Sequence, residues 1–221
     1  MYSKARTDEA PPRGAEPPEP LPRGRHKLSR ADVRDSQRRR LIRAMLDQVA
    51  ERGYPATTVG DVVAAARCSR NAFYDLFEDK EGCYIAAADE TGAEMLAALI
   101  SGAQLQESWL DALRSGTHSY LRWWVDHPEY AAAYLIDLPT AGRRALEQRD
   151  RVYADFAAMF AGLAARARAE QPLLPPLPPL APRLLVMAIT ELIAQEVREG
   201  RVGALMELED ELVRFIVKTL T

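Results

Sequence analysis

The chain has 221 residues, 48% of them hydrophobic and 28% charged, with a formal net charge of −3. That length and apolar content suffice for one large domain or two small ones with a sizeable core. Two cysteines, Cys68 and Cys83, make no disulfide framework, the opening MYSKARTDEAPPRG has no apolar signal core, and no uncharged apolar run could span a bilayer. The expectation is a soluble, cytoplasmic protein with no membrane partner.

Charge is unevenly placed along the chain. Between Arg23 and Cys83 there are 13 Lys and Arg against 9 Asp and Glu, whereas from Tyr84 onward the balance is 13 against 19. A basic front and an acidic back fit a module facing nucleic acid joined to one that does not.

Residues 1–22, rich in Pro, Glu and Arg, have little to bury and read as a disordered tail. Residues 23–35 read as a basic arm, with Arg25 and Lys27 placed to grip phosphates and the same run of cations continuing through Arg40. From residue 36 the chain reads as helical almost throughout. Leu41, Ile42, Met45, Leu46 and Val49 keep the spacing of an amphipathic helix that stops at Gly53. A second helix starts at Thr57 or Thr58 and carries Val59, Val62 and Val63. A third runs from a Ser69 cap to about Phe77, and a fourth begins near Asp79 and Lys80. Further helical patterns cover 106–126, a short segment after Pro128, about 140–169, 183–199 and 204–220. The proline-rich 172–182 between them is an extended connector. No stretch alternates with period two, so the fold class is all-α.

Residues 58–77 read helix, turn, helix. Phe73 and Phe77, four apart, pack inward and leave Arg70, Asn71 and Tyr74 outward. Arg and Asn are side chains able to read purine edges in a major groove, and a helix-turn-helix presents the start of its second helix there. The pattern by itself equally allows an ordinary helical hairpin in a bundle.

Residues 40–88, RLIRAMLDQVAERGYPATTVGDVVAAARCSRNAFYDLFEDKEGCYIAA, resemble the DNA-binding domain of the TetR family of bacterial transcriptional regulators. The match runs in order through the first helix, Gly53-Tyr54, Thr57-Thr58-Val59, Ser69-Arg70, Phe73-Tyr74, Phe77 and Lys80-Glu81. The resemblance implies that residues 36–83 form the DNA-binding domain and residues 84–221 a ligand-binding and dimerisation domain. It implies that Thr58 caps the second helix and meets a phosphate, and that Ser69, Arg70 and Asn71 begin the recognition helix. Tyr74 and Lys80 then contact the backbone. Two departures stand out. Arg67-Cys68 replaces the usual Gly-Val, so Arg67 must tolerate a glycine-like conformation, and Ala72 stands where a hydroxyl residue is common, leaving a methyl able to touch thymine.

Toward the C-terminus, Leu205, Leu208, Leu212 and Ile216 form one apolar stripe with a second beside it, and Leu185, Ile189 and Leu192 spread around the preceding helix. Deep burial within one subunit would account for this. The preferred reading is a homodimer built on a four-helix interface from these residues, as the resemblance implies. Trp109, Tyr120 and Trp123 around Gly116, with Tyr134 and Phe156, are candidates to line a cavity for a flat or apolar effector.

The three histidines lack metal-site spacing, and no phosphate loop or nucleophile elbow is present, so no cofactor, metal or catalytic residue is assigned. Cys68, flanked by Arg67 and Arg70, is a candidate redox switch, with a simple packing role the preferred reading. The expected function is a ligand-released repressor that binds a double-stranded DNA operator as a homodimer and answers an unknown small-molecule effector. The alternatives are a helical ligand-binding or scaffold protein that does not read DNA, or an all-α enzyme.

Overall fold

The computed structural model describes residues 29–221; the expectations for the 1–22 tail and for Arg25 and Lys27 lie outside the described residues. Among the described residues there is no strand, and no helix is long and apolar enough to cross a membrane.

Helix α1 (Arg30–Arg52) starts earlier than the apolar pattern indicates. Ser29 and Asp32 form a capping box, each side chain accepting from the other's backbone N–H, so residues 30–35 of the expected arm are helix. Its buried face is Leu41, Ile42, Ala44, Met45, Leu46 and Val49, and it ends at Gly53, whose φ of 79° suits glycine. Helix α2 (Val59–Ala65) has its own capping box between Thr58 and Asp61. Helix α3 (Arg70–Tyr74) is capped by Ser69, whose hydroxyl accepts from the Ala72 N–H. Phe73 and Phe77 are buried against this unit; full burial of one such ring contributes about 2–3 kcal/mol.

Helix α4 (Lys80–Gln104), started by an Asp79 cap, runs from this unit into the second half of the molecule. There it packs on α5 (Trp109–Asp126) and α7 (Arg143–Glu170). Helix α6 (Pro128–Ala132) has proline in its first turn and continues through a π-helical turn, Ala133–Asp137, into a 3₁₀ turn, Leu138–Thr140. After the proline-rich connector come α8 (Ala181–Arg198) and α9 (Glu209–Leu220). Residues 204–208, expected as the first turns of the last helix, belong instead to a 3₁₀ stretch, Val202–Leu208. Its Leu205 is fully buried and α9 begins only at the acidic run Glu209–Glu211, which suits a helix N-terminus.

The apolar residues of α8 and α9 divide differently from the sequence expectation. Leu185, Ile189, Leu205, Leu212 and Ile216, assigned to a dimer interface, are buried in their own subunit's core. Leu192 and Leu208 are half-buried against that core. The outward apolar side chains are Leu184, Met187 and Phe215, exposed by 59%, 47% and 45%. A helix apolar on most of its circumference buries one side in its own core and leaves the other outward, and composition alone does not separate the two faces.

Candidate DNA interface and effector cavity

The outward face of the helix-turn-helix is built from its inward anchors. Phe73 is fully buried, its ring 5.5 Å from that of Phe77, and this orients Ser69, Arg70, Asn71 and Tyr74 to solvent. Tyr74 is 55% exposed and edge-on to Phe73 at 5.3 Å. Thr58 is exposed too, its hydroxyl donating to Asp61 Oδ2 at 2.6 Å. Ala72, expected to offer a methyl to thymine, is buried: one residue's step around a helix carries it from the Asn71 face to the Phe73 face.

The turn between α2 and α3 contains Arg67 at φ 52°, the one non-glycine residue with positive φ among the described residues. The left-handed conformation costs an L-residue about 1–2 kcal/mol. Arg40 offsets it from α1, its guanidinium donating to the carbonyls of Ala66 at 3.0 Å and Arg67 at 3.4 Å. Arg34 donates to the Asp75 carbonyl at the end of α3, and Arg38 pairs with Glu90 of α4. Three cations of the run expected to grip phosphates therefore hold the motif together; Arg30 and Arg39 stay exposed.

Lys80 is a second correction. Its Nζ donates to the carbonyls of Tyr54 at 2.8 Å and Thr57 at 2.9 Å and lies 3.9 Å from the Tyr54 ring centroid. The ammonium is turned toward the turn between α1 and α2, and desolvation lowers its pKa. For Cys68, desolvation raises the thiol pKa and Arg40 only partly opposes it. A neutral thiol whose sulfur donates to the Ala66 carbonyl at 3.5 Å fits a packing role.

The second half of the molecule holds a partly open cavity of about 280 Å3 bounded by α4, α5, the π turn, α7, α8 and α9. Of the expected lining residues, Tyr120, Tyr134 and Phe156 face it; Trp109 and Trp123 do not. Trp109 is buried at the start of α5, where its backbone N–H donates to the Glu170 carboxylate, and Trp123 stacks on His127 at 4.5 Å. The tryptophan on the wall is Trp124, one residue further round the helix. The end of α4, which the sequence places in the ligand-binding core through Met95, Leu96 and Leu99, supplies Met95 and Leu99, with Ile100 added; Ile189, Leu212 and Ile216, read from the sequence as dimer interface, also line the wall. Burial pushes the Tyr120 phenol up to about 12 and raises the Tyr134 phenol as well. The one charged residue on the wall, Arg166, is already engaged. It donates to the carbonyls of Gln106 and Glu107 and lies 3.6 Å from Glu170.

The two sites meet at Tyr54. Its ring stacks on Tyr84 of α4 at 4.9 Å, and its N–H donates to Asp137 Oδ1 at 3.1 Å. The Tyr84 hydroxyl donates to the Ala133 carbonyl. The pair thus holds both ends of the π turn whose Tyr134 and Leu135 line the cavity.

Residues 41–87 match the family model described as bacterial regulatory proteins, tetR family. A comparison with curated proteins returns no significant match. Among solved structures, the transcriptional regulator FadR from Bacillus subtilis, in complex with stearoyl-CoA, aligns at 15% identity and TM-score 0.73, over 80% of this chain and 96% of that one. The fatty acid degradation regulator FadR from Bacillus halodurans aligns at 16% identity and TM-score 0.73, over 80% and 96%. A TetR family transcription regulator from Marinobacter aquaeolei aligns at 19% identity and TM-score 0.61, over 82% and 97%. At these identities the likeness is one of fold.

Proposed function

We propose that this chain, a DNA-binding transcriptional regulator of the TetR family by its helix-turn-helix and its all-helical architecture, is a homodimeric repressor released from its operator by a small apolar ligand. The observation that carries the DNA reading is the outward set Arg70, Asn71 and Tyr74 on a helix locked from behind by Phe73 and Phe77. Arg70 and Asn71 read base edges, while Thr58, Ser69 and Tyr74 contact phosphates and set the register. The domain division follows: residues 36–83 with the start of α1 face DNA, and residues 84–221 bind ligand and partner.

Exposed Leu184, Met187 and Phe215 on neighbouring α8 and α9 supply the two-fold interface. The cavity supplies the effector site. A solved neighbour of similar fold holds stearoyl-CoA, and the aliphatic and aromatic wall here suits an apolar molecule or chain. Ligand occupancy displaces Tyr134 and Leu135, and the π turn passes that displacement through Asp137 and Tyr84 to Tyr54 and the helix-turn-helix. Two recognition helices must sit one DNA turn apart, about 34–36 Å, so a small splay in each subunit spoils the fit.

The test is a gel shift on DNA flanking the protein's own gene across a salt series. Saturable binding to one segment, with affinity falling steeply as salt rises, is expected. Equal affinity for every segment, or none, would return the chain to a helical ligand-binding role.

A further inference from the structure

Most glycines inside the α-helices have a neighbour standing where their side chain would begin. A methyl at Gly92 would meet the Tyr134 hydroxyl at 3.2 Å, and one at Gly102 the Ser115 and Ser119 hydroxyls at 2.8 and 2.9 Å. At Gly116 it would touch the Leu99 side chain at 3.5 Å, and at Gly60 and Gly82 the guanidinium groups of Arg70 and Arg144 at 3.3 and 3.1 Å. Gly162, inside α7, differs: a methyl there would meet nothing within 4 Å, and its φ is not positive. Glycine weakens a helix relative to alanine, so neither packing nor backbone geometry accounts for this one.

Its position does. Gly162 borders the cavity and is the one lining residue exposed to solvent. It comes three residues after Met159 and four before Arg166, so the three share one flank of α7. That flank faces the end of α4, because Arg166 reaches across to the Gln106 and Glu107 carbonyls at 2.8 and 2.6 Å. At the opposite end the same two helices are tied again. There Glu81 accepts from the Ala145 N–H at 3.2 Å and Asp89 from the Gln148 amide at 2.6 Å. Among the described residues no hydrogen bond or ion pair joins α4 to α7 between Gln148 and Arg166. Two helices fastened at both ends and unjoined between them leave a slit, and half-exposed Ile100, Ala103, Met159 and Leu163 line it around Gly162. These rim side chains are apolar, and the charge of Arg166 is already matched by two carbonyls and by Glu170.

We propose that the slit between α4 and α7 at Gly162 is the mouth through which an uncharged apolar ligand enters and leaves the cavity, and that the missing side chain at 162 keeps it open. This rests on the reading of the cavity as the effector site and adds the route and the residue that governs exchange. A side chain at 162 narrows the passage without touching the deep wall formed by Met95, Leu113 and Leu212. Its bulk therefore sets how fast the effector is gained and lost.

Stopped-flow binding of butylbenzene to the full-length protein tests it, read by tryptophan fluorescence, to which Trp124 on the wall contributes. Gly162→Trp should slow association and dissociation alike, each about tenfold, so that Kd changes little. Two controls isolate the position. Gly162→Ala should leave both rates within about twofold of wild type while raising Tm by roughly 2–4 °C, as a helix relieved of an unneeded glycine does. Ala161→Trp places the same bulk on an exposed neighbour that does not border the cavity, and should leave the rates unchanged. Unaltered rates in Gly162→Trp, or equal slowing by Ala161→Trp, would overturn the mouth and leave the effector cavity standing. Faster dissociation with unchanged association in Gly162→Trp would make residue 162 part of the binding wall instead. Failure of butylbenzene to bind the wild type would overturn this proposal and the cavity's role together.

Discussion

The Lys80 ammonium lies 2.8 Å from the Tyr54 carbonyl and 3.9 Å from the centroid of the same residue's ring, so one lysine holds both the backbone and the ring of one tyrosine. With its second bond to the Thr57 carbonyl it fastens the first turn of α4 to the turn between α1 and α2. A charge held this way stabilises the motif rather than the complex. Lys80→Met should cost about 2 kcal/mol by loss of two charge-assisted hydrogen bonds, lowering Tm by roughly 4–8 °C. The slope of log affinity against log salt should stay unchanged. A slope reduced by about one unit would restore Lys80 to the phosphates.

Arg70 and Asn71 should behave differently from Tyr74. Arg70→Ala or Asn71→Ala should relax discrimination at particular base pairs by about 1–3 kcal/mol. Tyr74→Phe, which removes a neutral phosphate contact, should weaken all sequences alike. Affinities for a set of single-base operator variants separate the two patterns. An Arg70→Ala protein equally weakened on every variant would move Arg70 to the backbone class.

Asp137 is the acceptor that joins the cavity's π turn to Tyr54. Asp137→Ala should leave each site able to bind alone but shrink their coupling, ordinarily about 1–3 kcal/mol and reciprocal. Titrating an apolar probe such as butylbenzene with and without operator measures it from one side, and operator with and without butylbenzene from the other. Undiminished coupling in Asp137→Ala would shift the route to α4, whose Met95 and Leu99 reach the same cavity.

The dimer face makes a prediction of opposite character for adjacent residues. Phe215→Glu and Met187→Glu, at exposed positions, should convert dimer to monomer while keeping helicity. Leu185→Glu, at a site 1% exposed, should unfold the subunit instead. Light scattering and circular dichroism read the two outcomes. A dimer that survives Phe215→Glu and Met187→Glu combined would place the interface elsewhere.

What the sequence determined by itself is local. Helix starts rest on side chains that bond their own backbone within three residues, as Ser69, Asp79 and Thr58 do, and the buried faces of α1 and α3 follow from a fixed rotation per residue. Even Arg67 at positive φ was legible, because the constraint belongs to a single residue. The earlier start of α1 at Ser29 was written in the same code, as a serine followed three residues later by an aspartate. Only the tertiary structure decided where long side chains and wide apolar surfaces go. Arg40 reaches the Arg67 carbonyl and Lys80 reaches Tyr54 across 27 and 26 residues of chain, and solvent-facing arginines look the same in sequence as structural ones. Trp123 and Trp124 differ by one step around α5, yet one stacks on His127 and the other walls the cavity. The choice depends on which neighbours surround α5 in space. Helices apolar on nearly every side, such as α8, carry no local mark of which side meets their own core, because burial is a property of the assembled surface.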